Sequence, residues 1–188
     1  MFLSMTPDNT PVARLIQLNN RFITAIGHGV SWATLILVLT TCLVVMLRYL
    51  FNIGSVALQE ALLYLHSLIF LLGAAWTLQK DGHVRVDIFY RPLSDKGKAW
   101  INVFGTLLLL IPTCIFLFWI SWQYVASSWS YFEGSRESGG INGIFLLKTL
   151  LLVMPSLLIL QGLANLLHSL LLITDRTQPE EARSETAL

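Results

Sequence analysis

The sequence predicts an all-α membrane protein with four transmembrane helices, cytoplasmic N- and C-termini, and interfacial segments between the spans. Three observations carry that prediction. Of 188 residues, 55% are hydrophobic and only 12% charged, against about 25% charged in an ordinary soluble domain. The apolar residues gather into four runs, each long enough for the roughly 20 residues that a helical crossing needs. The basic residues are distributed unevenly between the two sides those runs define. With both termini inside, the cytoplasmic side holds Arg14, Arg21, Lys80, Arg85, Arg91, Lys96, Lys98, Arg176 and Arg183, and the other side only Arg48, Arg136 and Lys148. That bias sets orientation.

Several function classes drop out early. Net charge is +1, so no strong field points to nucleic acid. The chain has no glycine-rich phosphate loop, no zinc-type Cys/His spacing and no nucleophile elbow, and nothing marks it as an enzyme. Cys42 and Cys114 lie inside apolar runs at different depths, which suits small buried thiols better than a disulfide.

Residues 1–22 form a polar lead-in with Pro7 and Pro11. Beyond Pro11, Val12, Leu15, Ile16, Asn19 and Phe22 recur at helical spacing beside Arg14 and Arg21, so this stretch reads either as a short interfacial helix or as a partly ordered lead-in. A membrane domain over 23–173 comes next. Its first span, 23–47, carries no Asp, Glu, Lys or Arg, and no small-residue cleavage site succeeds it, so it is read as retained. Asn52-Ile53-Gly54 makes a tight turn. The second span, 55–79, is the least purely apolar: Gln59, Glu60, Leu63, His66, Ser67 and Phe70 fall along one stripe. Polar groups facing lipid are costly, so the stripe should face protein, either a partner subunit or the chain's own bundle.

A long polar break separates this span from the third, 100–126, where Pro112 should kink the helix. Trp119, Trp122, Tyr124, Trp129 and Tyr131 cluster at its far end as an interfacial aromatic belt. Residues 127–143 form the second long connection, where Trp129, Glu133, Ser135, Arg136 and Glu137 offer a docking patch for a soluble partner or an ordinary solvated loop. The fourth span, 144–173, covers roughly 45 Å at 1.5 Å per residue, more than the hydrocarbon core, so it should tilt, keep an interfacial first turn around Lys148, or bend at Pro155. The tail, 174–188, is short, charged and expected to be disordered.

The histidines require one alternative, a haem-bearing anchor subunit of a redox complex, since membrane four-helix bundles can hold haem between paired imidazoles. His28 and His168 share a depth, whereas His66 lies nearer mid-span without a level partner. Contact or interfacial histidines explain the pattern better, and no cofactor is expected. Autonomous transport also fits poorly, because midplane charged groups and glycine-rich helix breaks are missing from the spans. An accessory membrane subunit fits better.

The central break supplies a further signal. GAAWTLQKDGHVRVDIFYRPLSDKGKAWIN, from Gly73 to Asn102, resembles the small permease subunit of tripartite ATP-independent periplasmic (TRAP) transporters, the DctQ-like family, with HVRVD at His83–Asp87 its most specific part. LRYLFN at Leu47–Asn52, the Glu60-bearing second span, the series Trp129, Glu133, Ser135 and Gly139-Gly140, and LQGL at Leu160–Leu163 match in order. The detail looks closest to the mannitol/chloroaromatic-type branch, although Gln59-Glu60 stands where many relatives have two adjacent acidic residues.

The resemblance implies a multi-pass protein of the bacterial inner membrane, partnered by a large permease subunit and a periplasmic substrate-binding protein, in ion-gradient-driven uptake of an organic acid or related solute. Its role there would be that of a scaffold rather than a catalyst. Within the central break, His83, Arg85, Asp87 and Arg91 are read as a cytoplasmic interfacial element, the cations meeting anionic headgroups of the membrane lipid.

Overall fold

A computed structural model of the chain describes residues 11–83 and 93–175. Among these the secondary structure is entirely helical: α1 (Pro11–Leu50), α2 (Val56–Gln79), α3 (Asp95–Phe104), a π-helical turn (Gly105–Leu110), α4 (Ile111–Ser130) and α5 (Ile144–Asp175). Four stretches are long and apolar enough to cross a membrane: Pro11–Leu50, Val56–Gln79, Lys96–Ser130 and Ile144–Thr174. The protein is a multi-pass membrane protein.

Local chemistry explains where each helix starts and stops. Pro11, whose fixed φ and missing N–H suit a first helical position, opens α1. No further proline interrupts the 40 residues to Leu50, so the lead-in from residue 11 and the first span are one continuous helix. At 1.5 Å per residue it is about 60 Å long, twice the thickness of a bilayer core. Asn52 then adopts a left-handed φ of 53°, and the Ile53 N–H returns to the Leu47 carbonyl at 2.9 Å. LRYLFN is thus a helix stop, with Asn in the conformation it tolerates better than most residues. Ser55 caps α2, its side chain accepting from the Leu58 N–H at 3.4 Å.

In the third span Pro112 has no N–H to donate, and its ring crowds the carbonyl four residues earlier. The ladder answers by widening to a π turn over Gly105–Leu110, with the Ile111 N–H bonded to the Thr106 carbonyl. Beside Pro112 the regular α ladder thus gives way to a change of hydrogen-bond register. Pro155 in α5 is fully buried and the helix continues through it.

The hub of the fold is α5. The α1–α2 pair packs on it, the α3–α4 span packs on it separately, and the two groups make no substantial contact with each other. At the centre of the α1–α2–α5 junction lie Ile23, Ala75 and Leu157, with Ile26, Leu72, Trp76, Val153 and Leu158 around them. In lipid, helix association depends on close packing and interhelical hydrogen bonds, and small residues supply the first here. A Cβ on Gly27 would lie 2.6 Å from Cδ1 of Trp76, and one on Gly162 2.7 Å from Cδ2 of Leu110. These glycines let the indole of α2 and a leucine of the π turn sit directly against neighbouring backbones.

Candidate functional site

Two polar assemblies clamp the helices, one at each end. The first lies at the loop end, where α1 leaves, α2 begins and the 131–143 connection joins α4 to α5. Trp129 and Phe132 pack edge-on against Phe145 with centroids 4.8 and 5.6 Å away, and the Trp129 indole N–H donates to Thr149 Oγ1 at 2.9 Å. This folds the start of the connection onto the first turn of α5. Phe132, at φ 49°, turns the chain, so that the Glu133 N–H reaches the Ser128 carbonyl at 3.0 Å and the Glu133 carbonyl receives the Phe145 N–H at 3.3 Å.

Two carboxylates organise the rest of the connection. Glu133 Oε2 accepts from Ser128 Oγ at 2.7 Å and from the Lys148 ammonium, and both ion-pair partners are only 12% exposed. The hydrogen bond from Lys148, followed by that from Ser128, holds the Glu133 carboxyl below the ordinary carboxylate range. The same ammonium sits 3.9 Å above the Tyr124 ring centroid, a cation–π contact. Glu60, one turn into α2, takes the Ser135 hydroxyl on Oε1 and the Ile141 N–H, at 2.6 Å, on Oε2. Ser135 in turn accepts from the Glu137 N–H at 3.1 Å. A carboxylate with both oxygens engaged this way ties the connection to the head of α2.

The glycine pair is required by the same geometry. Gly139 has φ 80°, a left-handed conformation that disfavours any Cβ. A Cβ on Gly140 would lie 2.8 Å from Glu60 Oε1 and 2.6 Å from Ser135 Cβ. Trp129, Glu133, Ser135 and Gly139-Gly140 are therefore the parts of one folded latch.

The second assembly, at the opposite or termini end, is made of amides. Gln161, 1% exposed, accepts from Asn19 Nδ2 at 2.9 Å and donates to Asn165 Oδ1 at 2.9 Å and Asn20 Oδ1 at 3.4 Å. Gln79 donates to the Asn20 carbonyl at 2.8 Å and accepts from Thr24 at 3.1 Å. The network joins α1, α2 and α5 without a formal charge. Asn20, Gln79, Gln161 and Asn165 escaped sequence reasoning; LQGL contains Gln161 and Gly162, but its spacing does not show that one binds α1 and the other admits Leu110.

The expected interface stripe divides. Gln59, Leu63, His66 and Phe70 face outward, and they are the only exposed positions of α2. Glu60 turns into the latch, and Ser67 is partly covered. In the outer patch, Glu133 and Ser135 are likewise engaged within the chain, Trp129 remains 40% exposed, and Arg136 and Glu137 are exposed. His83 lies exposed just past α2, while Arg85, Asp87 and Arg91 fall outside the described residues. His28 and His66 both point out of the helix group, with His168 partly covered, so the histidines do not converge on one interior space.

Comparison with curated proteins and with solved structures returns no match. Comparison with family models returns one: residues 37–172 match the DctQ component of the tripartite ATP-independent periplasmic transporters. The matched stretch holds the latch, the stripe and Gln161, and with it the haem-anchor alternative is set aside. The chain is a transporter component rather than an enzyme, and it belongs to the DctQ family of tripartite ATP-independent periplasmic transporters.

Proposed function

We propose that this protein is the small permease subunit that scaffolds a large permease subunit in the bacterial inner membrane, in ion-gradient-driven uptake of an organic acid or related solute delivered by a periplasmic binding protein. Both termini face the cytoplasm, and the latch faces the periplasm. One observation carries the scaffold role. Glu60, Glu133 and Lys148, the three partly buried charged groups among the described residues of the loop end, are all engaged in bonds that fix this chain's own shape. A subunit that bound and moved the solute would need such groups available and movable. Here they make a rigid element.

The latch supports the expectation of a docking surface by presenting Arg136 and Glu137 outward on a fixed backbone. Arg136 makes the cleaner probe, because Glu133 and Ser135 are structural. Affinity capture of the tagged chain, co-expressed with its large subunit, should retain that subunit. Arg136→Glu should leave capture intact and reduce uptake dependent on the binding protein. Unchanged uptake would remove the docking role, and failure to capture the large subunit would remove the scaffold role.

A further inference from the structure

We infer that the outward stripe of α2 is a seam for one transmembrane helix of the large permease subunit, and that Gln59 and His66 hydrogen-bond to polar groups this helix presents at two levels, two turns apart. The inference rests on the reading of the chain as a small permease subunit and adds the chemistry of the contact.

Gln59, Leu63, His66 and Phe70 are spaced four, three and four residues apart. That spacing draws a single narrow line along a helix, the seam geometry through which two helices interdigitate. Leu63 and Phe70 are 55% and 72% exposed and alternate with the two polar members. The other positions of α2 are partly covered or buried, and α1 and α5 are the helices that pack on it. The line is thus as wide as one helix contact.

The polar members identify the occupant. Acyl chains cannot satisfy the His66 imidazole, and polar groups at membrane depth face protein or water; Gln59 lies higher, at the loop end. His66 stands near the middle of the 24 residues of α2, where the two ring nitrogens need hydrogen-bond partners. Its ring stacks along the stripe with that of Phe70, centroids 6.4 Å apart and planes 16° apart. Among the described residues, none hydrogen-bonds to the His66 ring. Glu60, beside Gln59, is turned onto the latch.

At the loop end a shallow cleft lined by Arg48, Ser55 and Gln59 opens at the head of the stripe. Arg48 and Gln59 thus stand near each other at this end of the stripe, so an acidic or hydroxyl side chain on the partner's upper level would complement them. The lower level, about 10 Å away along the axis at 1.5 Å per residue, needs a hydroxyl, amide or carboxyl group opposite His66.

The experiment uses the full chain co-expressed with its large subunit, with p-benzoylphenylalanine in place of Leu63 or Phe70 and illumination of intact membranes. Both positions should crosslink to the large subunit. In parallel, Gln59→Leu with His66→Leu should lower the captured large subunit by about tenfold, from two interhelical hydrogen bonds of ordinary strength in membranes, while His66→Asn, which keeps a donor and an acceptor, should retain most of it. Crosslinking to a second copy of this chain would overturn the proposal in favour of a homodimer seam. Unchanged capture with the double Leu variant, or crosslinks to lipid alone while the unmodified chain still captures the large subunit, would overturn the seam and leave the small-subunit reading standing. Failure of the unmodified chain to capture that subunit would overturn the reading beneath it.

Discussion

Replacing Gln161 with leucine tests whether the amide network holds α1 to the hub. Gln161 is 1% exposed, so its loss cannot be repaired from solvent. The change removes the 2.9 Å bond from Asn19, the 3.4 Å bond to Asn20 and the 2.9 Å bond to Asn165. The first two cross from α1 to α5. Interhelical hydrogen bonds in membranes are worth about 0.6 kcal/mol on average and up to about 1.7. Asn19 raises the figure, because its Oδ1 is buried without a partner and losing Gln161 would strand its amide nitrogen as well. A stranded buried polar group costs about 1–3 kcal/mol. Leucine keeps most of the packing volume, so Gln161→Leu should destabilise the fold by about 1–3 kcal/mol. Replacing both partners with apolar groups can be nearly neutral, so Asn19→Leu combined with Gln161→Leu should recover part of that loss. The assay is reversible unfolding in mixed micelles, or steric trapping in bilayers, run as a double-mutant cycle. A single variant as stable as the unmodified chain, or strictly additive effects, would refute the coupling.

Single contacts have further consequences. Gly27→Ala places a methyl 2.6 Å from Cδ1 of Trp76 and should cost about 1–3 kcal/mol as overpacking; Trp76→Leu in the same chain should relieve it, read by the same unfolding assay. The latch should loosen in acid. The Glu133 carboxyl is held below its ordinary value of 4.5, so its contribution is complete above that pH and is lost as pH falls through the lower folded value. Hydrogen exchange of the 131–143 amides should accelerate over that window, and Glu133→Gln should flatten the dependence. Glu60→Ala should expose the Ile141 amide, bonded to Glu60 at 2.6 Å, to rapid exchange at neutral pH, whereas Gln59→Ala should leave it protected.

Much of the fold was legible in the sequence because helices in lipid are specified locally. Hydropathy marked the four spans, Ser55 and Asn52 punctuated the first connection, and Pro112 announced a departure from regular helix. The form of that departure was not legible, since whether a proline bends a helix or shifts its register depends on what packs against it. The unity of α1 was also hidden, because a polar, amphipathic stretch has the same pattern whether it lies along an interface or continues a span.

The site was legible as a set of residues and illegible as a set of partners. Trp129, Glu133, Ser135 and the glycine pair stood out, yet Glu60 finds its ligands 75 and 81 residues away. A stripe drawn by periodicity therefore grouped Glu60 with Gln59 and Leu63, although Glu60 bonds within the chain and those two face outward. The amide network is less visible still: its bonds join positions 142, 141 and 59 residues apart, and no member's spacing along its own helix points to the others.

The central claim is that this chain serves as the small permease subunit of a TRAP transporter. Its most direct test is solute uptake by cells that express the large subunit and the binding protein, with and without this chain, using the ligand of that binding protein as solute. The account predicts that uptake is lost without the chain and restored when it is supplied in trans. Uptake at full rate in its absence would contradict the account.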